Sequence, residues 1–331
     1  MSGQESMTRI FPALKNYDWG DTAFLPALLD LTPTGEPVAE AWFGTHPSGE
    51  AVTDDGRTLS SITGQLPFMV KFIAAAKPLS LQVHPSLEQA RAGWARENTA
   101  GLSIDDPRRN YPDDSDKPEL LIALTPFSAL CGFHDPTATA GWFHARGWTA
   151  LGDALEQLGL EGFVREALLG TSLAVPRDLP PWAAALREAH PGDPAVLVAL
   201  LMHWAELAPG ECLALEAGVL HTYLSGCAVE VMNGSNNVVR AGFTTKHSDR
   251  EEVLRITSFE ASPNPVRRPE SGVYPSTGSY RVVTHAEGST IRADGTTIVV
   301  TTKGVSHVLQ AGESLSIASG TGYATTACTP H

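Results

Sequence analysis

The chain has 331 residues, with 23 Lys and Arg against 37 Asp and Glu, which gives a formal net charge of −14 at pH 7. This acidic balance excludes a general affinity for nucleic acid or for an anionic membrane, because both need a basic surface. The hydrophobic content of 42% and the charged content of 18% are typical of a globular protein, and the length predicts two or three packed units.

The N-terminal stretch MSGQESMTRIF lacks the basic and apolar pattern of a signal peptide, and no apolar run approaches the length of a membrane span. The cysteines are few and widely spaced, which is typical of free thiols in a reducing compartment and gives no CxxC metal motif. They are Cys131, Cys212, Cys227 and Cys328. We therefore expect a cytoplasmic protein without a membrane anchor and without a sulfur-ligated metal.

Residues 1–134 are predicted to form the N-terminal part of a catalytic β region. From about residue 11 to residue 125, short apolar runs alternate with turn signals such as PTGEP, HPSGE and TDDGRT, a pattern typical of strands joined by hairpins. One helix is expected here, because SLEQARAGWAREN begins with Ser86 as N-cap and has Gln89 three residues later, which is a capping box.

Residues 135–206 are predicted to form a helical insert. The segments LGDALEQLGLEGFVREALLG and PPWAAALREAHPGDPAVLVALLMHWAEL are rich in Ala and Leu, and their apolar residues recur at helical spacing. Proline stands at the predicted helix starts and glycine at the predicted ends. The insert therefore separates two β-rich parts of the chain.

Residues 207–331 return to strands and contain an internal repeat. The segment LAPGECLALEAG, which begins at Leu207, matches LQAGESLSIASG, which begins at Leu309, in Leu, Gly, Glu, Leu, an aliphatic residue and Gly at a constant offset. Repetition of a turn and an alternating strand predicts a mainly β fold with two cupin or jelly-roll barrels and an inserted α-helical domain. Three residues after its last Gly, the first copy has His221 and the second has Tyr323. We therefore expect one metal-binding barrel, complete by about residue 260, and a second, metal-free barrel.

The stretch PLSLQVHPS, residues 78–86, places two candidate metal ligands on one strand. Gln82 and His84 are two residues apart, so both side chains project from the same face. On its own, the pair is also explained by a core histidine that bonds a backbone carbonyl, with Gln82 capping a neighbouring strand edge. Further partners are needed to decide between the two.

Two residues could complete a set of about four ligands for a divalent ion. One is His221, from the first copy of the repeat. The other is Glu119, which follows Lys117 and Pro118 and enters an apolar strand, where a buried carboxylate needs a compensating charge. That charge could come from a metal, or from Lys117 or an arginine at the rim of the fold.

Long motifs of the chain resemble the class I mannose-6-phosphate isomerases, zinc-dependent members of the cupin superfamily. The motifs extend over most of the sequence: KNYDWG, AEAWFGTHPSG, FMVKFIAAAKPLSLQVHPS, YPDDSDKPE, ALCGF and HTYLSGCAVEVMNGSNNVVRAGFTTK. The resemblance implies one zinc ion per chain, held by Gln82, His84, Glu119 and His221. It also implies a monomer that interconverts D-mannose 6-phosphate and D-fructose 6-phosphate through an enediol.

Proton movement between C1 and C2 of a sugar requires an electrophile, an acid and a base. Lys117 lies two residues before Glu119 and faces the same side of a strand. We therefore assign Lys117 as the acid/base or the carbonyl-polarising group. Glu230, nine residues after His221, is the alternative proton carrier, or it could instead orient Arg240.

The apolar segment NNVVRAGFTTK contains Arg240 and Lys246, and a buried cation there needs a compensating anion. The resemblance places this segment at the active site, so Arg240 is assigned to the catalytic residues and Lys246 to sugar-phosphate binding. Lys71 and Ser80 are phosphate-binding candidates by resemblance, and Trp19, in KNYDWG, is assigned to the same substrate site. Lys71 and Ser80 could also be a lysine that extends its head into water and a hydroxyl at a strand edge.

Three motifs depart from the family pattern close to this chemistry. The usual NHKPE reads SDKPE here, which puts Asp116 where a histidine is common. We count Asp116 among the catalytic residues and expect its carboxylate to hold Lys117 protonated or oriented. The usual SDN and TPK are also changed; they read Ser235, Asn236, Asn237 and Thr244, Thr245, Lys246. The departures leave open a relative that acts on another phosphosugar.

Two other classes of function remain open at the level of sequence. One is a different metal enzyme on the same barrels, such as an iron-dependent cupin dioxygenase, against which Gln82 as a ligand and the cluster of Arg240 and Lys246 argue. The other is a non-catalytic sugar-phosphate-binding or sensor cupin that has lost turnover through the changes at Asp116 and Asn236.

Overall fold

Antiparallel strands dominate the computed structural model, which describes residues 7–328. The strands are β1 (Thr8–Phe11), β2 (Ala13–Lys15), β3 (Glu40–Phe43), β4 (Val52–Thr53), β5 (Phe68–Ala75), β6 (Leu81–Val83), β7 (Glu119–Ala123), β8 (Phe127–Phe133), β9 (Met202–Leu207), β10 (Cys212–Leu215), β11 (His221–Asn233), β12 (Val239–Gly242), β13 (Val266–Arg267), β14 (Tyr280–His285), β15 (Thr290–Arg292), β16 (Thr297–Thr301), β17 (Ser306–Leu309), β18 (Ser314–Ser316) and β19 (Gly322–Ala327). The helices are α1 (Phe24–Leu28), α2 (Ser60–Thr63), α3 (Leu87–Thr99), α4 (Pro136–Ala145), α5 (Thr149–Leu169), α6 (Pro181–Ala189), α7 (Ala195–Ala199) and α8 (Arg250–Ile256). The mainly β fold expected from the sequence is confirmed.

The larger sheet system is arranged around β11, a strand of 13 residues. The first part of β11 pairs with β6 and β8, and the second part pairs with β5 and β7. Every residue of β5 is buried, which explains its continuous run FMVKFIAA, because a strand covered on both faces has no solvent side. β11 therefore contributes side chains to two parts of the sheet system.

A corner at Gly226 lets β11 change its pairing partners. The register of β11 against β8 shifts just before this residue, as is usual where a strand bends sharply. Gly226 has a φ of 113°, in a region that side chains disfavour. A Cβ atom at this position would lie 2.7 Å from the carbonyl oxygen of Pro126, so glycine is required on both counts.

A second sheet combines strands from the beginning and the end of the described chain. Its strand order is β14-β19-β16-β17-β1-β4, so β1 and β4 pair with C-terminal strands. The two-stranded sheet of β15 and β18 packs against it through Ile291 and Leu315. Residues before 134 thus also build the C-terminal sheet, and the division into 1–134, 135–206 and 207–331 stays a prediction.

The two copies of the repeated segment form the same turn. Gly210 and Gly312 have φ angles of 87° and 91°, values that favour glycine. The carboxylates of Glu211 and Glu313 accept hydrogen bonds of 2.8 and 2.7 Å from the backbone N–H group three residues earlier. β10 follows the first turn and β18 follows the second. The repeat in the sequence is therefore also a repeat in local structure, while two closed barrels stay a prediction.

Helices α4 to α7 lie between residues 136 and 199, inside the predicted insert of residues 135–206. Strand β9 also begins inside this insert, at Met202. The apolar residues of the four helices form one core with side chains of α8 and of the neighbouring strands. α5 is kinked at Gly159, where φ is 67°. Across the described residues, 7–328, none of the helices has both the length and the apolar character that a bilayer crossing requires.

The predicted capping box of α3 is confirmed. Ser86 Oγ accepts a hydrogen bond from the backbone N–H group of Gln89, and Gln89 Oε1 accepts one from the backbone N–H group of Ser86. The two bonds satisfy donors that the first turn of a helix leaves free. The capping box fixes the start of α3 at Leu87, a few residues after β6 and His84.

Candidate active site

The candidate metal ligands come from three neighbouring strands. Gln82 lies in β6 and His84 follows its last residue, while Glu119 begins β7 and His221 begins β11. His221 is the register partner of Gln82 in the pairing of β11 with β6. Strand pairing thus brings residues from distant parts of the chain together, and His84, Glu119 and His221 are all buried.

The side chains of His84, Glu119 and His221 face one another closely enough to share a metal ion. Nε2 of His84 lies 3.2 Å from Oε1 of Glu119, and Nε2 of His221 lies 3.7 Å from Oε2 of the same carboxylate. One candidate ligand atom from each residue lies within 4.8 Å of the others. Imidazole and carboxylate donors in such a group suit a zinc-like divalent ion.

The hydrogen bonds of the two imidazoles leave lone pairs directed at the carboxylate. Nδ1 of His84 donates to the carbonyl oxygen of Asn237 at 2.8 Å, and Nδ1 of His221 donates to that of Val219 at 2.9 Å. Each neutral ring then has only an acceptor at Nε2, and Nε2 of His84 is buried without a hydrogen-bond partner among the described residues. Because unprotonated nitrogens and carboxylate oxygens repel one another, this arrangement fits a cation between them.

The protonation states of these groups agree with metal binding. Burial lowers the pKa of His84 and lowers that of His221 to about 4, so both rings are neutral at pH 7. Burial alone would raise the pKa of the Glu119 carboxyl, but the charge of the Lys117 ammonium holds it well below its usual range. Neutral imidazoles and an ionised carboxylate are the forms that bind metals.

Gln82 reaches the same point from β6. Its side-chain amide nitrogen lies 3.3 Å from Nε2 of His221, and its Oε1 accepts a hydrogen bond from Ser80 Oγ at 3.2 Å. If the Gln82 side-chain amide is rotated by half a turn, its oxygen and its nitrogen exchange places. The amide oxygen would then join the candidate ligand atoms of His84, Glu119 and His221. The structure therefore brings together all the residues that the sequence predicts as ligands.

Lys117 and Asp116 are adjacent in the chain but contact different groups. Lys117 is buried, and its Nζ lies 2.8 Å from Oε1 of Glu119. Asp116 Oδ1 instead accepts a hydrogen bond from Asn233 Nδ2 at 3.0 Å. The two explanations of Glu119 that the sequence leaves open, an ion pair with Lys117 and a metal ligand, are therefore compatible in one geometry.

Glu230 belongs to a buried network of charged side chains beside these ligands. The Lys71 ammonium lies 3.3 Å from Glu230 and 3.9 Å from Glu40, and the indole N–H of Trp42 donates to Glu40 at 2.6 Å. Burial and the charge of Glu119 raise the pKa of Glu230 to about 7. Burial alone would lower the pKa of Lys71, but the neighbouring carboxylates outweigh it and raise this pKa. Lys71 is therefore a compensated cation.

Arg240 and Lys246 are two neighbouring cations of the site that lack a carboxylate partner among the described residues; Lys15 and Lys77 also line the cavity. Arg240 lies in β12 as the register partner of Gln82, and Glu230 pairs with Lys71 and not with Arg240. Within residues 7–328, neither Arg240 nor Lys246 forms an ion pair with a carboxylate. Burial lowers the pKa of Arg240, and partial burial together with repulsion from Arg240 lowers that of Lys246. Two such neighbouring cations favour an anion between them.

A cavity of about 890 Å³ connects these groups. Its wall includes the ligands Gln82 and Glu119 and the predicted catalytic and substrate-binding residues Trp19, Lys71, Ser80, Lys117, Glu230, Arg240 and Lys246. Asp116, His84 and His221 are not among its lining residues in the described chain. A cavity of this volume is large enough for a sugar phosphate.

A second cavity of about 900 Å³ lies between α3 and α8. Its arginines already have carboxylate partners, for example Arg96 with Glu252 at 2.9 Å and Arg165 with Glu251 at 3.6 Å. Because its cations are compensated and the metal-donor set lies elsewhere, the first cavity is the candidate active site.

Several residues of the cavity wall are not found by sequence reasoning. His190, which follows the last residue of α6, lines the cavity, so the helical insert contributes to the site. Glu40 and Trp42 also line it, and their spacing of two in β3 could have placed them on one strand face. No periodicity in the insert indicates that His190 reaches a β-sheet cavity.

Fold and site together define a class of β-sheet protein in which a His, Glu and His donor set lies beside a cavity with uncompensated cations. The family model described as "Phosphomannose isomerase type I, catalytic domain" matches residues 55–136. The mannose-6-phosphate isomerase of Escherichia coli (strain K12) is 33% identical over 298 residues, which cover 78% of this chain and 76% of that protein. The mannose-6-phosphate isomerase of Emericella nidulans is 30% identical over 356 residues, which cover 83% and 75%. The chain belongs to the mannose-6-phosphate isomerase family.

Solved structures align with nearly the whole chain. A crystal structure of mannose 6-phosphate isomerase bound with zinc and yttrium aligns with a TM-score of 0.83 and 27% identity, covering 98% of this chain and 100% of that one. The apo form from Salmonella typhimurium aligns with a TM-score of 0.80 and 26% identity at the same coverage. The alignments agree with the mainly β fold, and the roles of individual residues stay predictions.

Proposed function

We propose that this protein catalyses the reversible isomerisation of D-mannose 6-phosphate and D-fructose 6-phosphate. The observation that carries the proposal is the presence, at one cavity, of the His84, Glu119 and His221 donor set and of the uncompensated Arg240 and Lys246. The donor set suits a metal that binds sugar oxygens, and the cations suit a phosphate. Membership of the mannose-6-phosphate isomerase family supports the same reaction.

The proposed cofactor is zinc, one ion per chain, held by Gln82, His84, Glu119 and His221. The main support is Nε2 of His84, which is buried and faces a carboxylate oxygen with no proton between them. A zinc ion bound here supplies a Lewis acid for the sugar oxygens without redox chemistry. Zinc in a related crystal structure agrees with this choice of metal.

Arg240, which is expected from the sequence to be catalytic, is instead proposed to bind the phosphate group together with Lys246. A guanidinium and an ammonium that lack carboxylate partners can each donate charge-assisted hydrogen bonds to phosphate oxygens. Lys71 lines the same cavity, but its charge is already compensated by the carboxylates of Glu40 and Glu230. Ser80 and Trp19 complete the proposed substrate wall.

Lys117 and Glu230 are proposed to move the protons. The reaction takes a proton from one of the carbons C1 and C2 and returns it to the other, while a hydroxyl proton moves between the attached oxygens. Lys117, beside Glu119, donates to a sugar oxygen and polarises the carbonyl. Glu230, with its pKa raised to about 7, can both accept and return the carbon-bound proton near neutral pH. Both residues line the cavity, which supports these roles.

Asp116 is proposed to support the catalytic loop without touching the substrate. Its carboxylate bonds Asn233 and the residue does not line the cavity. The histidine that is common at this position in the family can exchange a proton near neutral pH, and Asp116 replaces it outside the cavity wall. The proposed proton transfers therefore do not include Asp116.

The substrate is proposed to be a small sugar phosphate, and the enzyme is proposed to act as a cytoplasmic monomer without a nucleic-acid partner. The net charge of −14 argues against nucleic acid. All four cysteines are free, which agrees with a reducing compartment.

A coupled assay that follows fructose 6-phosphate formation from mannose 6-phosphate tests the proposal on the zinc-loaded protein. We expect turnover with the phosphate ester and a kcat/KM for free mannose at least about a hundredfold lower, since charge-assisted hydrogen bonds to the phosphate contribute about 1.5–3 kcal/mol each. Binding of mannose 6-phosphate without turnover would identify a sensor instead. Comparable turnover of free mannose would remove the phosphate role of Arg240 and Lys246, and iron content with oxygen uptake would indicate a different metal enzyme.

A further inference from the structure

A hydrogen-bonded cluster, with two buried and two half-buried members, lies directly behind the metal site. We call it the Asp113 clamp; its members are Asp113, Ser115, Ser235 and Asn237. Asp113 Oδ1 accepts hydrogen bonds from Ser235 Oγ at 2.8 Å, from the backbone N–H group of Ser115 at 3.1 Å and from Asn237 Nδ2 at 3.1 Å. Asp113 Oδ2 accepts one from the backbone N–H group of Asn236 at 2.8 Å. A single carboxylate thus organises two loops that are far apart in the sequence.

One end of the clamp contacts a metal ligand. The carbonyl oxygen of Asn237 accepts the hydrogen bond from Nδ1 of His84, and Asn237 is fully buried. The Asn237 side chain is fixed as well, because its Nδ2 donates to the carbonyl oxygens of Asp113 at 2.9 Å and Ser115 at 2.7 Å. The Asn237 peptide therefore has little freedom to turn away from His84.

The other end of the clamp leads to the catalytic loop. Ser115 lies two residues before Lys117, and its carbonyl oxygen accepts from both Asn237 Nδ2 and Ser235 Oγ, at 2.7 and 3.3 Å. Asn236, whose backbone N–H group bonds Asp113, lines the substrate cavity. The same four residues thus hold the backbone next to His84, next to Lys117 and along the cavity wall.

The partner of Nδ1 decides which way a ligating imidazole faces and which nitrogen has the lone pair. For His84 that partner is a backbone carbonyl, which can hold the ring only as firmly as its own peptide is held. Here the Asp113 carboxylate holds that peptide from its surroundings, because it accepts hydrogen bonds from the Asn237 side chain and from the backbone N–H group of Asn236. A carboxylate can accept several such bonds at once, and bonds to an ionised acceptor are strong.

We propose that Asp113 is a positioning residue that acts through the Asn237 peptide on His84 and through Ser115 on Lys117. It thereby sets the metal affinity and the placement of the catalytic lysine together. The inference rests on the metal site of the proposed function. It predicts that a residue without contact to metal or substrate controls both the metal affinity and the position of Lys117.

The test compares Asp113→Asn with Asp114→Asn in the full-length protein. Asn has the shape of Asp, but its side-chain NH2 group would face at least one of the donors that now bond the carboxylate, so at least one hydrogen bond is lost. Asp114 is exposed and one residue away, so its variant is a matched control with the same change of charge. Zinc affinity is measured by competition with a chelator, and the cobalt-substituted proteins are compared by absorption, which reports ligand geometry.

We expect Asp113→Asn to lower the zinc affinity by about 10–100-fold, the usual effect of removing a group that orients a metal-bound histidine. We also expect a changed cobalt spectrum and a lower kcat with a smaller change in KM. Asp114→Asn should match the unmodified protein in each measurement. Unchanged zinc affinity and an unchanged cobalt spectrum in Asp113→Asn would overturn the proposal and leave Asp113 as a residue of loop structure only.

Ser235→Ala provides a second test if Asp113→Asn does not fold. It removes one hydroxyl that bridges Asp113 and Ser115, so a smaller loss of zinc affinity in the same direction is expected, and full affinity would contradict the clamp. Because zinc affinity is measured without substrate, the two proposals fail separately. A protein that binds zinc through an intact clamp but does not isomerise mannose 6-phosphate refutes the proposed function and leaves the clamp standing.

Discussion

The two copies of the repeated turn, residues 207–218 and 309–320, have the same local structure but lead to different chemistry. In each copy a glycine with positive φ precedes a glutamate that bonds the backbone three residues earlier. After the first copy, His221 lies beside Glu119. After the second copy, Tyr323 packs against Tyr274, with ring centroids 6.4 Å apart. The turn therefore serves the fold in both places, whereas the chemistry depends on the next strand and on partners from elsewhere in the chain.

From this comparison we expect the largest loss of metal binding and of activity when His221 is replaced. His221→Ala removes an imidazole donor and should abolish most metal binding and most isomerase activity together, since ligation and activity share this residue. Tyr323→Phe, at the matching place of the second copy, should keep both. Zinc content by elemental analysis and turnover of mannose 6-phosphate are the measurements. Stoichiometric zinc in His221→Ala would contradict the ligand assignment.

A second test separates proton transfer from metal binding next to the first copy. Lys117→Met should lower kcat about a hundredfold or more, the usual contribution of general acid-base catalysis, while zinc content stays unchanged. Asp116→Asn should cost much less, because the Asp116 carboxylate bonds Asn233 and does not line the cavity. Steady-state kinetics on fully zinc-loaded protein measure both. The opposite ranking would assign the proton-carrying role to Asp116.

A smaller effect is expected from the cationic end of the cavity. Lys246→Met should raise KM for mannose 6-phosphate about tenfold or more, because a charge-assisted hydrogen bond to phosphate contributes about 1.5–3 kcal/mol. Lys303→Met, which removes an exposed lysine near the second copy, should leave KM unchanged and controls for the loss of one positive charge. Equal KM values for the two variants would exclude Lys246 from phosphate binding.

The smallest effect tests whether the two turns are equivalent. Gly210→Ala and Gly312→Ala each place a Cβ atom in open space but force a side chain into a left-handed conformation that costs about 1–2 kcal/mol. Both variants should lose a similar amount of unfolding free energy, measured by denaturant titration, and both should keep their kcat. A loss of kcat in Gly210→Ala alone would show that the first turn has a catalytic role that the second lacks.

Much of the candidate site could be predicted because its candidate ligands follow local rules. Two-residue spacing identifies Gln82 and His84 as partners on one strand face, and the buried setting of Glu119 already requires a compensating charge. The repeat identifies His221 by its difference from Tyr323. Each of these inferences uses residue spacing or residue type within short segments of the sequence.

The remaining features depend on contacts between distant segments. The pairing of β1 and β4 with C-terminal strands is not visible in the sequence of either partner, because alternation fixes the buried face of a strand and not its neighbour. The wall residue His190 follows α6, and the pattern of that helix predicts only its apolar face. The direction of Asp116 also escapes sequence reasoning, since Pro118 breaks the strand alternation that would have aligned Asp116 with its neighbours.

The corner in β11 has a consequence for how the protein folds. This strand holds His221 on one side of Gly226 and Glu230 on the other, and Glu230 is the register partner of Lys71 in β5 and of Leu121 in β7. Such pairings close long loops and therefore form late, after local turns and helices. The metal-donor set is complete only once these loops have closed. Zinc should accordingly bind the finished fold and slow its unfolding, so that zinc affinity reports folding of the larger sheet system, to which β6, β7 and β11 belong.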